Sequence, residues 1–323
     1  MPEPEHDPVS DVATIPVVAT TTLEPVDLVG AVEGVPTAEM DVKARRLGVG
    51  GILAIAWLVI VTAAALLAPV LPLDDPNDTI ASIARQGPGT DGHILGGDGL
   101  GRDMLSRLIW GARASLLIGT LSVLLGLVLG GLFGLVAGYF RGKSDVVLTG
   151  GFDVLLSFPQ LVLALTLVTV FASGEGVSAT RRMVVLILAL GVVSIPVLGR
   201  ITRANTMTWS QREFVLASRA LGAKQREIMF REVLPNVLPA MFSIALLGVA
   251  VVIVAEGGLS LLGVGTQLPR PSWGNIIAEG RSELRDSPHI VIEGTVVIFF
   301  TVFALNYLGD VVRARFDVRE SAL

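Results

Sequence analysis

The chain has 323 residues, of which 52% are hydrophobic and only 16% are charged, and its mean hydropathy is +0.70. Ordinary soluble domains carry about 25% charged residues, so this composition indicates a membrane protein. The sequence contains no cysteine, which excludes a disulfide framework, a thiolate metal site and a thiol nucleophile.

The formal net charge of −5 is distributed unevenly along the chain. Residues 1–42 contain nine Asp or Glu and no Lys or Arg, which leaves the rest of the chain at about +4. The scattered Pro, Thr and Val among these acids cannot bury enough apolar surface to fold. The segment also lacks the basic start of a secretory signal peptide. We therefore predict a disordered acidic cytoplasmic tail over 1–42 and a membrane domain over 43–323.

Six strongly apolar segments follow, each close to the roughly 20 residues that a helix needs to cross a bilayer core. They lie near 47–72, 114–140, 147–172, 183–202, 236–262 and 290–311. Cytoplasmic loops of membrane proteins carry an excess of Lys and Arg. With the N-terminus in the cytoplasm, 15 of these basic residues lie inside and nine outside. The sequence thus predicts an all-α membrane protein with six transmembrane helices, both termini in the cytoplasm, in the inner (plasma) membrane.

A polar segment, residues 203–235, separates the fourth and fifth apolar segments and is long for a simple connection. Ser210 and Glu213 have the spacing of a capping box, which predicts a helix start. A stripe of apolar and small side chains follows at helical spacing: Phe214, Val215, Ala217, Ser218 and Leu221. Gly222 is suited to end this helix, and a second helical stretch then leads to Leu234–Pro235. We predict a short amphipathic helix with a basic, polar face that docks on a partner outside the bilayer.

This segment resembles the EAA loop of ABC importer permeases, in which Glu-Ala-Ala precedes three residues, a Gly and later Ile-x-Leu-Pro. The residues that match this pattern are Ala217, Gly222, Leu234 and Pro235, whereas Leu216, Ser218 and Glu232 replace its Glu, second Ala and Ile. The loop of peptide importers is matched more closely, through Glu213, Phe214, Arg219, Ala220, Leu221, Gly222 and Ala223. The resemblance implies that residues 203–235 couple this chain to an ATPase.

Four further blocks, in order along the chain, resemble the C-type permease of dipeptide and oligopeptide ABC importers. They are His93–Leu116, Asp153–Pro159, Glu256–Ile277 and the stretch LNYLGDVVRARFD near the C-terminus. Gly97 and Val318 depart from the residues usual in that family. The resemblance implies a type I ABC importer permease fold, with no catalytic residue and no cofactor in this chain. It also implies a homologous permease as heterodimer partner, one or two cytoplasmic ATPase subunits that bind ATP and magnesium, and an extracytoplasmic peptide-binding protein.

Other functions fit the sequence less well. Importers of nickel and other small solutes share these motifs, so the substrate stays open between them and peptides. An ion-driven secondary transporter would be favoured by internal inverted repeats, which are not evident. Gly138–Ser144 approaches a phosphate-binding loop, but only three residues separate its first Gly from Gly-Lys-Ser where that loop needs four. The basic residues are too dispersed for nucleic-acid recognition.

Three polar residues near the apolar segments are candidates for the translocation pathway: Glu256, Ser260 and Asp153. A carboxylate at membrane depth costs at least about 2.5 kcal/mol unless it faces water or a partner. Glu256 therefore either lines the pathway or makes a structural hydrogen bond beside the GGLS sequence. Asp153 lies nearer the cytoplasmic edge, where a solvated or helix-starting role is the alternative.

Two further groups of residues have two interpretations each. A charged set on the outer side could face the docking binding protein or form a stabilising ion-pair cluster: Arg102, Asp103, Arg107 and Arg113. A set of glycines at four-residue spacing predicts close helix packing, within this subunit or against a sister permease: Gly126, Gly130, Gly134 and Gly138. The histidines, at 6, 93 and 289, lack metal-ligand spacing and are assigned to solvated loops.

Overall fold

The computed structural model describes residues 48–320, apart from positions 173, 175 and 268, and side chains as far as position 315. The predicted acidic tail over 1–42 lies outside these residues. The described part contains helices and no β-strand. The helices are α1 (Val49–Leu67), α2 (Met104–Phe140), α3 (Gly142–Leu156), α4 (Gln160–Ala172), α5 (Ala179–Trp209), α6 (Glu213–Ala220), α7 (Gln225–Leu261), α8 (Trp273–Gly280) and α9 (His289–Glu320).

Five of the described helices are long and apolar enough to cross a membrane, namely α1, α2, α5, α7 and α9. The third predicted segment, 147–172, is not one straight helix, because α3 and α4 meet at a bend of 82°. Pro159 lies in the break between them. Its ring restricts the preceding residue to extended backbone, which ends the helix there. Among the described residues there are therefore five helices long and apolar enough to be spans, or six spans if the bent pair counts as one.

The central packing of the bundle joins α2 to α5 along a line of glycines. A side-chain carbon added at Gly126 would lie 2.6 Å from the side chain of Ser194, and one at Gly138 would lie 2.6 Å from the backbone oxygen of Arg203. Gly130 and Gly134, between them, face backbone atoms of α5 just as closely. The four glycines thus pack inside this subunit, because only a residue without a side chain lets the two backbones approach so closely.

Residues 68–103 and 262–288, which we call the cap, cover one end of the bundle. The cap lies beside the first turns of α2 and α9, and α8 lies within it. Helix α2 begins about ten residues before the predicted apolar segment, so its first three turns belong to this polar region. The opposite end of the bundle carries α6.

Candidate functional site

Helix α6 begins in a different way from that predicted. Its N-cap is Arg212, and no side chain caps it. Ser210 instead donates its hydroxyl to the backbone oxygen of Met207, at the end of α5. The predicted capping box of Ser210 and Glu213 is therefore wrong. Because α5 runs on to Trp209, Ser210 belongs to the C-terminal turn of that helix.

The end of α6 is formed by Gly222, as the sequence predicted. Gly222 has a φ of +81°, in the left-handed region that favours glycine. The Gly222 N–H donates to the oxygen of Arg219, and the Ala223 N–H donates to that of Ser218 at 3.1 Å. These two bonds close the helix with a Schellman-type turn.

One side of α6 is anchored to the bundle. Val215 is fully buried in an apolar cluster contributed by α2, α5 and α7. Arg219 places its guanidinium 5.2 Å from the ring centre of Tyr139, and Arg212 lies over Trp209 at 5.4 Å. These arginines therefore fold back onto aromatic rings of α2 and α5.

The other side of α6 is exposed and apolar. Leu221 is 88% exposed, Leu216 is 52% exposed, and Phe214, Ala217 and Ala220 are also exposed. The predicted stripe is thus divided between two faces, since Val215 points inward. Glu213 and Arg219 are exposed as well, so the accessible surface of α6 carries both apolar and charged side chains. An exposed apolar surface on a short helix is typical of a protein–protein contact.

The second helical stretch of the segment is continuous with the next span. Residues Met229–Val233 form a π turn within α7, and the Leu234 N–H donates to the oxygen of Met229. Pro235 follows, where it has no N–H to donate and its ring would clash in a regular helix. The wider turn accommodates this proline. Leu234 and Pro235 thus lie inside one helix. The chain passes from the polar segment into the next apolar span without leaving that helix.

Two ion pairs connect α3 to α5 near this end. Asp145 accepts from Arg203, at 2.6 Å from its Nη2 atom, and Asp153 accepts from Arg200. Both side chains of the second pair are about half exposed. Asp153 is therefore a solvated residue that joins α3 to α5.

Glu256 lies at the centre of a buried hydrogen-bond cluster. Its Oε1 accepts from the hydroxyls of Ser260 and Ser272, each at 2.8 Å. Ser272 in turn accepts from Thr266 at 2.6 Å. The backbone of Gly274 lies against the carboxylate, where an added side-chain carbon would come within 2.8 Å of Oε2. The cluster fastens the segment before α8 onto α7.

This geometry agrees with a structural hydrogen-bonding role for Glu256, which is one of the two roles that the sequence left open. The Glu256 side chain is fully buried, and Ser260 is 6% exposed. Neither residue lines an open surface of this chain. The sequence analysis missed Ser272 and the buried Trp273, whose indole N–H donates to the oxygen of Leu108 at 3.0 Å. The Pro-Ser-Trp-Gly run at 271–274, in the same family block as Glu256, was the available signal.

Three of the four charged residues on the outer side are engaged within the chain. Arg102, Asp103 and Arg107 are all buried. Arg102 binds Asp98 at 2.6 Å, and the Nη2 atoms of both arginines lie within 2.7 Å of Glu279 Oε2. Buried charges require such partners, so Arg102 and Arg107 form an ion-pair cluster, which agrees with the second of the two interpretations, whereas Asp103 pairs with His93.

Arg113 is the member of that set that remains accessible. It is exposed and lies over the ring of Trp110 at 5.6 Å. The two side chains line a groove of about 540 Å³ in which Arg270 adds a second cation. The groove also contains Asp75 and apolar walls from Pro269 and other residues.

The histidines of the cap make specific contacts. His93 lies 2.9 Å from Asp103, and His289 donates to the backbone oxygen of Gly97 at 3.1 Å. Their assignment to solvated loops is therefore wrong. His6 lies outside the described residues.

Comparison with known proteins places this chain among transport permeases. A family model described as the binding-protein-dependent transport system inner membrane component matches residues 130–321. The glutathione transport system permease protein GsiD of Pectobacterium atrosepticum is 36% identical over 248 residues, which cover 77% of this chain and 79% of that protein. The dipeptide transport system permease protein DppC of Alkalihalophilus pseudofirmus is 31% identical over 293 residues, covering 91% and 92%.

A structural comparison agrees with the sequence matches. The chain is similar to a solved chain of the methionine ABC transporter MetNI in inward-facing conformations, with a TM-score of 0.54. That match covers 66% of this chain and 97% of the other, at 20% identity, and it shows the fold alone. The all-helical fold has type I ABC importer permeases as its neighbours, as the resemblance implied. The chain belongs to the family of binding-protein-dependent transport system inner membrane components.

Proposed function

We propose that this chain is a transmembrane permease subunit of an ATP-driven importer of dipeptides or oligopeptides. The observation that carries the proposal is the exposed apolar face of α6, which ends at Gly222 and is held on the bundle by Val215. The names of relatives at 31–36% identity support the substrate class, because they are dipeptide, di/tripeptide and glutathione transport permeases.

In this proposal, α6 transmits the motion of an ATPase to the membrane helices. ATP binding closes a pair of ATPase domains, and α6 moves with them as a rigid body. Val215 shares its apolar cluster with Ile228 and Val233 of α7, so a displacement of α6 reaches that span directly. The span then switches the pathway between inward-open and outward-open states. This chain performs no chemistry, and the ATPase subunits bind ATP and magnesium.

The remaining parts of the importer follow from the same family. We propose six spans, with α3 and α4 as one bent span, because 15 and 13 residues are each too short to cross about 30 Å alone. Both termini then lie in the cytoplasm. A homologous permease completes the pathway, on which the exposed Asp153 is the candidate that we retain. The groove at Arg113 is the candidate contact for the extracytoplasmic peptide-binding protein.

The second candidate is an ABC importer of nickel or another small solute. It would use the same fold and the same coupling helix, so the transported solute discriminates between the two. An ion-driven secondary transporter is less consistent with the chain, because such a protein has no need of an exposed apolar coupling helix.

The proposal is tested by purifying the assembled complex and reconstituting it in vesicles. We expect ATP-dependent uptake of labelled dipeptides or oligopeptides, with an ATPase and a homologous permease present in the complex. Gly222→Leu should abolish uptake while the complex still assembles, because Leu strains a left-handed turn by about 1–2 kcal/mol and displaces α6. Gly150→Leu is the matched control, since the added side chain meets open space within α3.

Two results would contradict this proposal. Normal uptake by the Gly222→Leu complex would show that α6 is not the coupling element. Uptake driven by an ion gradient in the absence of ATP would place the chain among secondary transporters.

A further inference from the structure

The cap brings together three side chains that can ligate a metal, from positions 74, 93 and 103 of the sequence. His93 Nδ1 lies 2.9 Å from Asp103 Oδ1 and 3.6 Å from Asp74 Oδ2. One ligand atom from each residue lies within 4.8 Å of those from the other two. The Asp103 side chain is 7% exposed and that of Asp74 is 56% exposed. The cluster therefore has a buried floor and one side open to solvent.

Neighbouring hydrogen bonds hold these side chains in place. Asp103 Oδ2 accepts from the backbone N–H of Ser106 at 2.7 Å, which leaves Oδ1 facing His93. The Ser106 hydroxyl donates to the backbone oxygen of Asp74 at 2.5 Å. One residue in the first turn of α2 thus positions both aspartates.

Helix α9 adds a further carboxylate to the region next to the cap. His289 donates to the oxygen of Gly97, and Glu293 lies one helical turn later on the same face of α9. Both carboxylate oxygens of Glu293 are buried and have no hydrogen-bond partner among the described residues. Within the cluster itself, two carboxylates lie beside one imidazole, and their negative charge is what a bound divalent cation would neutralise.

We propose that Asp74, His93 and Asp103 bind a divalent transition-metal ion, with Zn²⁺ as the best fit. An imidazole ligand suits zinc, copper, iron and nickel, whereas Ca²⁺ and Mg²⁺ prefer sites built from oxygen alone. Ligands about 2.0–2.2 Å from a tetrahedral zinc ion lie about 3.2–3.6 Å apart. The His93–Asp74 separation of 3.6 Å lies in that range, and the 2.9 Å between His93 and Asp103 would widen when the ion replaces their hydrogen bond. Water would occupy the fourth position, on the open side at Asp74.

The bound ion would fasten the segment after α1 to the first turn of α2. It would replace the proton that otherwise lies between His93 and Asp103, because a histidine that ligates through Nδ1 must be neutral there. The site shares no residue with α6 or with the groove at Arg113, although Asp75 of that groove is the chain neighbour of Asp74. The proposal therefore holds whether or not the transported solute is a peptide.

The test uses the full-length chain, purified in detergent, treated with a chelator and titrated with Zn²⁺ alone. We expect one saturable site per chain, measured by metal content after equilibrium dialysis. Asp74→Asn should weaken the affinity at least about tenfold, and His93→Gln should remove the site. Asp78→Asn is the matched control, because it neutralises an exposed carboxylate of the same segment outside the cluster.

A second readout separates loss of the ligand from loss of the fold. Because a ligand that binds the folded state stabilises it, Zn²⁺ should raise the Tm of the wild type and of Asp78→Asn, but not that of Asp74→Asn. Circular dichroism of Asp74→Asn should match the wild type, since that side chain is mostly exposed. Absence of saturable Zn²⁺ binding to the wild type, or unchanged affinity in Asp74→Asn, would overturn the proposal and leave only a His93–Asp103 hydrogen bond.

Discussion

The cap and the α6 end of the bundle are held together by different forces. In the cap, Arg102 and Arg107 are buried against Asp98 and Glu279, and these charges join the loop before α2 to α8. At the other end, α6 is held chiefly by the apolar cluster around Val215 and leaves its remaining apolar face exposed. A buried charge is costly without its partner, whereas an exposed apolar surface is typical of a protein–protein contact. The charges of the cap are thus satisfied within this chain, and α6 keeps apolar side chains accessible to a partner.

The largest expected effect comes from breaking the buried charge cluster of the cap. Glu279→Ala removes the carboxylate that accepts from both Arg102 and Arg107. The two buried arginines would then share Asp98 as their partner, and loss of a partner by a buried charge costs up to about 3–5 kcal/mol. We expect a large fall in the Tm of the detergent-purified chain.

The matched control for that variant is Glu283→Ala, in the same region of the cap. Glu283 pairs with the exposed Arg85, and solvent-exposed ion pairs contribute little. A Tm for Glu279→Ala as high as that of the control would show that the cluster does not fix the cap.

The next effect concerns the packing of α2 on α5. Gly134→Val places a branched side chain against the backbone of Gly199 and Arg203. Overpacking of this kind costs about 1–3 kcal/mol. Gly150→Val, where the added carbon meets open space, should be much milder in the same thermal unfolding assay. Equal stability of the two variants would be inconsistent with the close helix contact.

Much of the fold could be predicted from the sequence because the relevant signals are local. Apolar runs indicate spans, and Gly222 marks the end of α6 because a left-handed turn requires it. The partners of buried charges could not be found in this way. Arg107 meets Glu279 across 172 residues of sequence, and His93 meets Asp74 through the folding of the cap.

Local patterns also failed where the tertiary structure overrides them. Ser210 has the spacing of a helix cap, yet α5 extends to Trp209 and takes that residue into its last turn. Arg212 and Arg219 lie over aromatic rings of neighbouring helices, a contact that spacing along one helix does not reveal.

A smaller effect separates a structural from a pathway role for Glu256. Glu256→Gln keeps groups that can hydrogen-bond to Ser260 and Ser272, so we expect near-normal stability and near-normal uptake. Glu256→Ala leaves buried hydroxyls without their acceptor, which costs about 1–3 kcal/mol, and should lower the Tm. Altered uptake by the Gln variant at normal stability would instead favour a pathway role. Both variants are compared in the same vesicles.

The role of α6 as the contact with the ATPase can be tested by cross-linking, because the chain contains no cysteine of its own. Leu221→Cys places a single thiol at the C-terminal end of α6, at a position that is 88% exposed. Ile94→Cys places a single thiol on the exposed surface of the cap. In the assembled complex we expect a thiol-to-amine cross-linker to join Leu221→Cys to the ATPase subunit, with a yield that changes when ATP is added. Ile94→Cys should give no such product. Cross-linking of the ATPase through Ile94→Cys, or none through Leu221→Cys, would contradict the coupling role of α6.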